Sequence, residues 1–75
     1  MKQEIIQILT DLRPEFDFSQ EVDFIDEGML DSFDLVNLVT DLEGKFGVVI
    51  DGMDIVPENF CTIEAIEALV NKSKK

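Results

Sequence analysis

Apolar residues recur at helical spacing in three separate stretches of the chain. The first covers about residues 2–12 and stops before Pro14, which cannot continue a helix. The second, about residues 32–46, has the longest apolar stripe and is followed by Gly47, which suits a left-handed cap. The third begins after Thr62, a favourable N-cap residue. The pattern therefore predicts three amphipathic α-helices. The predicted buried stripes are Ile5, Ile6, Leu9 and Leu12 in the first helix, Leu35, Leu38, Val39, Leu42 and Phe46 in the second, and Ile63, Ile66, Leu69 and Val70 in the third.

The segments between these helices lack a single period but contain many large apolar side chains. The stretch 14–31 is long for a loop, so we expect its own side chains to anchor it against the helices. Residues 48–50 form a β-branched run before the turn-like Asp51-Gly52 and have no second strand to pair with. We therefore expect an extended loop that buries Val48 or Ile50. Pro57 can start a short helical turn through Phe60. The predicted fold is all-α, a small antiparallel bundle of three main helices plus one short helix, with a long first loop and a single domain over residues 1–75.

Acidic residues dominate the charge of the chain, with 17 Asp and Glu against 6 Lys and Arg and a net charge of −11. A surface of this sign repels nucleic acid phosphates and anionic lipid head groups, so neither is an expected partner. Basic protein surfaces and metal cations suit it better. Solubility alone is the alternative explanation of the charge. The 45% of apolar residues are too many for a disordered acidic tail, so a folded domain is expected.

The residue inventory limits the chemistry and the location of the protein. The chain has no His, so the usual base near neutral pH and the commonest metal ligand are both missing. A domain of 75 residues also leaves little room for an enzyme cleft. Cys61 is the only cysteine and cannot form an internal disulfide, which fits a reducing compartment. Without a signal-peptide pattern or an apolar run long enough to cross a bilayer, we expect a cytoplasmic protein with no direct membrane insertion.

The second predicted helix has an outer face with exposed apolar residues. At about 100° per residue, Phe33 lies opposite the buried stripe, with Val36 and Thr40 nearby. An apolar centre with a charged rim is typical of a protein contact surface. The alternatives are an ordinary scatter of exposed apolar residues or a long loop that folds over Phe33. The acidic residues that border this face are Asp34, Asp41 and Glu43.

Ser32 stands at the start of the second helix, directly before this outer face. By position alone, either Asp31 or Ser32 can be the N-cap, because each side chain can accept a hydrogen bond from a free N–H group. A nucleophilic Ser needs a base to take its proton, and the chain offers neither His nor a Ser-x-x-Lys arrangement. If Ser32 takes part in chemistry, another enzyme must activate it, as at a modification site.

The segment around Ser32 resembles the attachment motif of acyl carrier proteins. Residues 28–39 read GMLDSFDLVNLV and are similar to the family's core of Asp-Ser followed by Leu, Phe or Met and a helical apolar pattern. The segment 54–60 looks like the region around the family's short third helix. The likeness extends over nearly the whole chain, because the helices, the long loop and the short turn follow the family's order.

The resemblance implies a carrier protein that performs no catalysis of its own. Ser32 would receive 4′-phosphopantetheine from coenzyme A through a phosphopantetheinyl transferase, which needs Mg²⁺ only during this attachment. The thiol of the arm would then hold an acyl or aminoacyl group as a thioester. Asp31 would lie beside the metal and phosphate in the transferase, and no specific metal site is expected in the chain itself. The positions that correspond to the family's partner-facing helix are Phe33, Asp34, Val36, Asn37, Thr40, Asp41 and Glu43.

The resemblance also implies partners, while it leaves the pathway open. We expect a monomer that works with the transferase, an acyl- or aminoacyl-activating ligase, and a downstream synthase or transferase with basic docking surfaces. The segments 30–33 and 57–60 look more like D-alanyl and other aminoacyl carrier proteins than like the carriers of bacterial fatty acid synthesis. Fatty acid, D-alanyl and peptide or polyketide pathways are all compatible with the motif. Acids are fewer along the second helix than in fatty acid carriers, since four of its positions are Asn37, Thr40, Gly44 and Lys45.

Two functions without a prosthetic arm are the alternatives. Read from Asp23, the loop places Gly28 sixth and Asp34 twelfth, which resembles an EF-hand calcium loop. Ile25 stands third, where an oxygen ligand belongs, and the twelfth residue is not the bidentate Glu. A weak calcium-binding protein is therefore one alternative. A small acidic protein-interaction module acting through the outer face of the second helix is the other.

Overall fold

The computed structural model describes residues 1–74, and Lys75 lies outside the described residues. Its α-helices are α1 (Lys2–Leu12), α2 (Ser32–Phe46) and α3 (Ile63–Ser73), with 3₁₀ turns at Gly52–Asp54 and Pro57–Asn59. No strand occurs within residues 1–74. The predicted all-α fold, with its long first loop and a short helical turn at Pro57, is confirmed. Within the described part of the chain, no helix combines the length and the apolar character that crossing a membrane requires.

Local signals determine both ends of α2. Asp31 has an extended backbone (φ −123°, ψ −178°), and its Oδ1 accepts a hydrogen bond from the N–H of Asp34 at 3.0 Å. The Asp34 carboxylate accepts one from the N–H of Asp31 at 3.2 Å, which completes a capping box. At the other end, Gly47 takes the left-handed conformation (φ 64°), and its N–H donates to the carbonyl of Glu43. Of the two cap candidates, the structure selects Asp31 and leaves Ser32 as the first helical residue.

The apolar stripes of the three helices meet in one core. Leu38 and Leu42 of α2 are completely buried, as are Ile5 and Leu9 of α1. Burying a side chain of this size contributes roughly 1.5–3 kcal/mol. The core is therefore the main source of stability, and it directs α2 so that its opposite side faces solvent. The buried residues of α3 are Ile63, Ile66, Leu69 and Val70, and the predicted stripe residues left half-buried at the edge are Ile6, Leu12 and Phe46.

Buried side chains hold the long first loop, residues 13–31, against the helices. Phe18 and Phe24 are fully buried and pack edge to face, with their ring centroids 5.1 Å apart. The N–H of Phe24 donates to the carbonyl of Cys61 at 2.7 Å, which ties the loop to the residues before α3. The loop thereby fixes the position at which α2 begins. Two further loop residues just before the cap are also buried, Met29 and Leu30.

The chain after α2 alternates buried and exposed residues without forming a strand. Val48 and Ile50 are both buried, and Val49 between them is exposed. A turn is present where Asp51-Gly52 indicates one, and it is a 3₁₀ turn at Gly52–Asp54. It forms because the Asp51 carboxylate accepts a hydrogen bond from the N–H of Met53 at 2.9 Å and so acts as its cap.

Candidate functional site

Ser32 is exposed at the first position of α2. Its hydroxyl makes no hydrogen bond to any described residue, because Asp31 supplies the cap. The N–H groups of Ser32 and Phe33 likewise find no acceptor within residues 1–74. Free N–H groups at the positive end of a helix dipole favour an anionic group nearby. A phosphate ester on the Ser32 oxygen would therefore meet a favourable environment.

The solvent-facing side of α2 has the orientation that the helical period predicts. Phe33 is 75% exposed and Val36 is 61% exposed, so the long loop does not fold over Phe33. Asn37, Thr40 and Asp41 are exposed as well. These five residues are called the α2 outer face below. Large apolar side chains in water beside polar ones have the character of a surface that a partner covers.

Asp34 does not belong to this surface, and the expectation that it borders the outer face is wrong. The residue is only 5% exposed. The Nη2 atom of Arg13 lies 2.8 Å from Asp34 Oδ2, and the Nε–H of Arg13 donates to the same oxygen at 3.0 Å. A projection of α2 by itself cannot show this contact, because Arg13 lies 21 residues earlier in the chain. Asp34 instead joins the start of α2 to the end of α1.

Glu43 is also engaged within the fold. It is half-buried, and its Oε2 accepts a hydrogen bond from the N–H of Ile50 at 2.9 Å. The contact arises because the chain reverses after Gly47 and returns past the last turns of α2. The carboxylate of Glu43 is therefore not the free acidic group that the sequence-based expectation placed at the border of the outer face.

Arg13 is the residue at this site that the sequence analysis did not single out. It is the only arginine in the chain and directly follows α1. Besides Asp34, its guanidinium contacts Asp31 (Nη2 to Oδ2, 3.5 Å) and Glu15 (Nη1 to Oε2, 3.3 Å). A planar group with five donors can bridge several carboxylates at once. The available signal was a lone Arg at a helix end in a strongly acidic chain.

The ion pair between Arg13 and Asp34 alters the titration of both groups. The hydrogen bond from Arg13 is the main cause that lowers the pKa of Asp34 below its ordinary value, against the opposing effect of burial. The same contact raises the pKa of Arg13. Asp34 therefore contributes stability that is present above its unfolded-state pKa of about 4 and is lost as the pH falls through its lower folded-state pKa.

We expect Asp34→Asn to lower the free energy of unfolding by about 1–3 kcal/mol at pH 7, because a charge-assisted hydrogen bond is lost. The difference from the wild type should shrink as the pH falls from the unfolded-state pKa of about 4 through the lower folded-state pKa of Asp34, because the wild type then loses the same charge. Urea denaturation at neutral and acidic pH measures both values. Asp26→Asn, in an exposed loop residue, is the matched control and should change stability by less than about 0.5 kcal/mol. A destabilisation that stayed constant into the acidic range would rule out the charge as its cause.

The residues of the EF-hand-like loop do not converge on a cation. Asp34, the twelfth position of that pattern, is paired with Arg13. Asp23, the first position, accepts hydrogen bonds from the N–H groups of Ile25 and Asp26 at 3.0 and 2.9 Å. In the part of the chain that the structure describes, no three acidic, His or Cys side chains are placed to hold a metal ion together. Nothing in these residues favours the calcium alternative.

Comparison with known proteins adds an independent finding. The protein-family profile described as "Phosphopantetheine attachment site" matches residues 3–70. This range contains the start of α2 and most of the three helices.

Three proteins with similar sequences have names that state a role. The chain is 37% identical over 54 residues to aminoacyl carrier protein 1 of Bradyrhizobium diazoefficiens, a match that covers 72% of this chain and 59% of that protein. It is 29% identical over 76 residues to the D-alanyl carrier protein of Lactococcus lactis subsp. lactis, with 99% and 96% covered. It is 38% identical over 58 residues to the acyl carrier protein of Thermotoga maritima, with 77% and 69% covered. The three names share the carrier role and differ in the cargo that they state.

Proposed function

Because the chain belongs to the phosphopantetheine attachment family of carrier proteins, we propose that Ser32 is the residue that carries its 4′-phosphopantetheine arm. The observation that supports Ser32 is its free, exposed hydroxyl at the first position of α2. The chain has two other serines. The Ser19 hydroxyl donates to Asp17, and the Ser73 hydroxyl donates to the carbonyl of Leu69 at 2.8 Å. Within residues 1–74, Ser32 is therefore the serine whose hydroxyl is not engaged by a neighbour.

The attachment reaction uses the Ser32 oxygen as the acceptor. This oxygen bonds to the phosphorus that bears pantetheine in coenzyme A, the pyrophosphate bond breaks, and adenosine 3′,5′-bisphosphate leaves. A base of the transferase takes the hydroxyl proton, because the carrier has no His to do so. Asp31, whose side chain is 64% exposed, would lie beside the Mg²⁺ of the transferase during this step. The carrier itself then needs no catalytic residue.

The chain's own residues present the arm and contact the enzymes. When bound, the arm supplies a thiol that holds an acyl or aminoacyl group as a thioester. Phe33 and Val36 offer apolar contacts next to the attachment point, and Asn37, Thr40 and Asp41 add polar ones. The net charge of −11 attracts partners with basic surfaces, and such attraction raises association rates more than affinity. That balance suits a carrier that must leave the transferase, the activating ligase and the downstream synthase in turn.

We assign an aminoacyl group as the cargo. Two of the similar proteins are named as aminoacyl and D-alanyl carriers, and the third is named only as an acyl carrier. The α2 outer face is weakly acidic, with Asn37 and Thr40 beside Asp41, and therefore differs from the more acidic face expected of a fatty acid carrier. The ligase that loads the arm decides the identity of the amino acid, since the carrier has no cargo-activating residue.

The location and the state of the protein follow the same proposal. We place it in the cytoplasm as a monomer, with residues 1–75 acting as one carrier domain. Cys61, the only cysteine, supports a reducing compartment because it has no partner in the chain for a disulfide.

Labelling of the wild-type chain tests the carrier proposal. Incubation with coenzyme A, Mg²⁺ and a broad-specificity phosphopantetheinyl transferase should add the mass of one arm, measured as intact mass. EDTA added before the transferase should prevent the gain, and EDTA added afterwards should leave it unchanged, because Mg²⁺ serves only the attachment. An unmodified chain, under conditions that label a known carrier fully, would refute the proposal. Stoichiometric Ca²⁺ binding by that unmodified chain would then support the calcium alternative.

The α2 outer face gives a second test. We expect Phe33→Ala and Val36→Ala to lower kcat/KM of the loading ligase about fivefold or more, because exposed apolar anchors at an interface contribute roughly 1 kcal/mol or more each. Neither should change the free energy of unfolding by more than about 0.5 kcal/mol. Val49→Ala, at another exposed apolar residue, is the matched control and should leave kcat/KM unchanged. Equal effects of all three variants would contradict a specific contact surface on α2.

A further inference from the structure

An open groove runs between the end of α1 and the outer side of α2. Its volume is about 440 Å³, and it begins at Phe33, the residue after Ser32. We call it the α1–α2 groove. Its lining residues are Asp11 and Leu12 from α1 and Phe33, Asp34, Asn37, Thr40 and Asp41 from α2. The Asp34 carboxylate is already paired with Arg13, so its charge is balanced within the fold.

The lining of this groove combines apolar and acidic side chains. Phe33 lines it next to the attachment point, and Leu12 adds a second apolar side chain from α1. Asp41 lines the groove nine residues after Ser32, which corresponds to about 13 Å along the helix axis. The arm has a main chain about as long as four to five extended residues, roughly 15 Å, so its end can reach the level of Asp41.

The carboxylates of Asp11 and Asp41 are available to a cation in the groove. Both residues are exposed, and neither forms an ion pair within residues 1–74. Asp11 Oδ1 accepts one hydrogen bond, from Gln7 Nε2 at 3.0 Å, which leaves its other oxygen free. A free ammonium group at the end of a bound arm would therefore have two carboxylates to approach.

We propose that the α1–α2 groove holds the loaded arm when its cargo bears a free ammonium group, as an aminoacyl thioester does. This inference rests on the proposed attachment at Ser32. Phe33 and Leu12 contact the arm itself, while Asp11 and Asp41 attract the α-ammonium group. Because the arm is tethered one residue away from the groove, its local concentration is high and a weak attraction is sufficient.

The same features discriminate against other cargoes. A carboxylate-bearing acyl group is repelled by Asp11 and Asp41. A long aliphatic chain gains little, because the groove is open to solvent and does not enclose it. The groove therefore favours small cationic acyl groups over neutral or anionic ones.

The experiment compares two arms that differ only in the ammonium group. A transferase attaches amide-linked coenzyme A analogues that end in an alanyl or a propionyl group, so that neither cargo hydrolyses. Amide chemical shifts in ¹⁵N–¹H NMR spectra then report on Asp11, Asn37 and Asp41. We expect alanyl to displace these signals more than propionyl, since each carboxylate should raise the ratio of docked to undocked arm by roughly two- to fivefold.

Variants and salt test whether the two carboxylates cause the difference between the alanyl and propionyl chemical shifts. Asp11→Asn and Asp41→Asn should each reduce the alanyl shifts toward the propionyl values, whereas Asp26→Asn, in the exposed loop, should not. Raising the salt from about 0.02 M to about 0.5 M should have the same effect as the two groove variants, because exposed charges are screened.

The outcomes separate this inference from the proposed function. Equal alanyl and propionyl shifts in a chain whose mass shows one arm would overturn the groove assignment and leave the carrier function intact. A difference that survives both Asp→Asn variants would also overturn it. Failure to gain an arm at all would count against the attachment at Ser32.

Discussion

Ser32→Ala should abolish arm attachment completely. After incubation with coenzyme A, Mg²⁺ and a broad-specificity transferase, the wild-type chain should gain one arm in its intact mass and the variant none. The reason is chemical, because alanine has no oxygen to bond to phosphorus. The remaining serines do not replace it, since the hydroxyls of Ser19 and Ser73 are hydrogen-bonded to their own neighbours.

The fold of the Ser32→Ala chain should be unchanged, which makes the result interpretable. Asp31 caps α2, so removal of the Ser32 hydroxyl should alter the free energy of unfolding by less than about 0.5 kcal/mol. Asp31→Ala should instead cost about 0.5–2 kcal/mol, the usual value for a lost cap. Ser19→Ala is the matched serine control and should be labelled fully. A folded Ser32→Ala chain that still gained one arm would place the attachment elsewhere.

Leu38→Ala and Leu42→Ala should each lower the free energy of unfolding by about 2–5 kcal/mol. Both side chains are fully buried on the core side of α2, so each truncation removes apolar contacts and leaves a cavity. A chain of this length has a total stability of about 4–11 kcal/mol at the usual 0.05–0.15 kcal/mol per residue. Either variant therefore loses a large part of its stability.

Urea denaturation followed by far-UV circular dichroism measures these losses. Val36→Ala is the matched control, since it lies on the same helix and its side chain is exposed. It should change stability by less than about 0.5 kcal/mol, because nothing is removed from the core. If Val36→Ala cost as much as Leu38→Ala, the assignment of core and outer sides of α2 would be wrong.

The helices of this protein could be predicted from sequence because their signals are local. The apolar period, the stop before Pro14, the glycine after α2 and the Thr62 cap each act within one or two turns. The exposed positions of Phe33 and Val36 follow from the same period, since the opposite side of α2 is buried. At Asp51-Gly52 the sequence indicates a turn but not its 3₁₀ conformation, because that conformation depends on one hydrogen bond from the Met53 N–H to the Asp51 side chain rather than on a repeating pattern.

The acidic residues of α2 show what the helical period alone cannot predict. A helical projection treats Asp34, Asp41 and Glu43 alike as acids beside the outer face, and only Asp41 is exposed. Asp34 is buried against Arg13, and Glu43 binds the N–H of Ile50. Both partners lie outside α2, so only the packing of the whole chain could reveal them.

The interpretation of Ser32 as the modified residue depends on both the sequence and the tertiary structure. The Asp31-Ser32 pair at a helix start, the absence of His and the order of the helices could be recognised in the sequence, and they indicate a residue modified by another enzyme. The sequence could not show whether Ser32 or Asp31 is the cap, because both side chains can accept the same hydrogen bond. The backbone angles at Asp31 decide between them. The tertiary structure also places Leu12 and Asp11 beside Phe33 and Asp41 to form the groove next to Ser32. Residues so far apart in sequence meet only because the core packs α1 against α2.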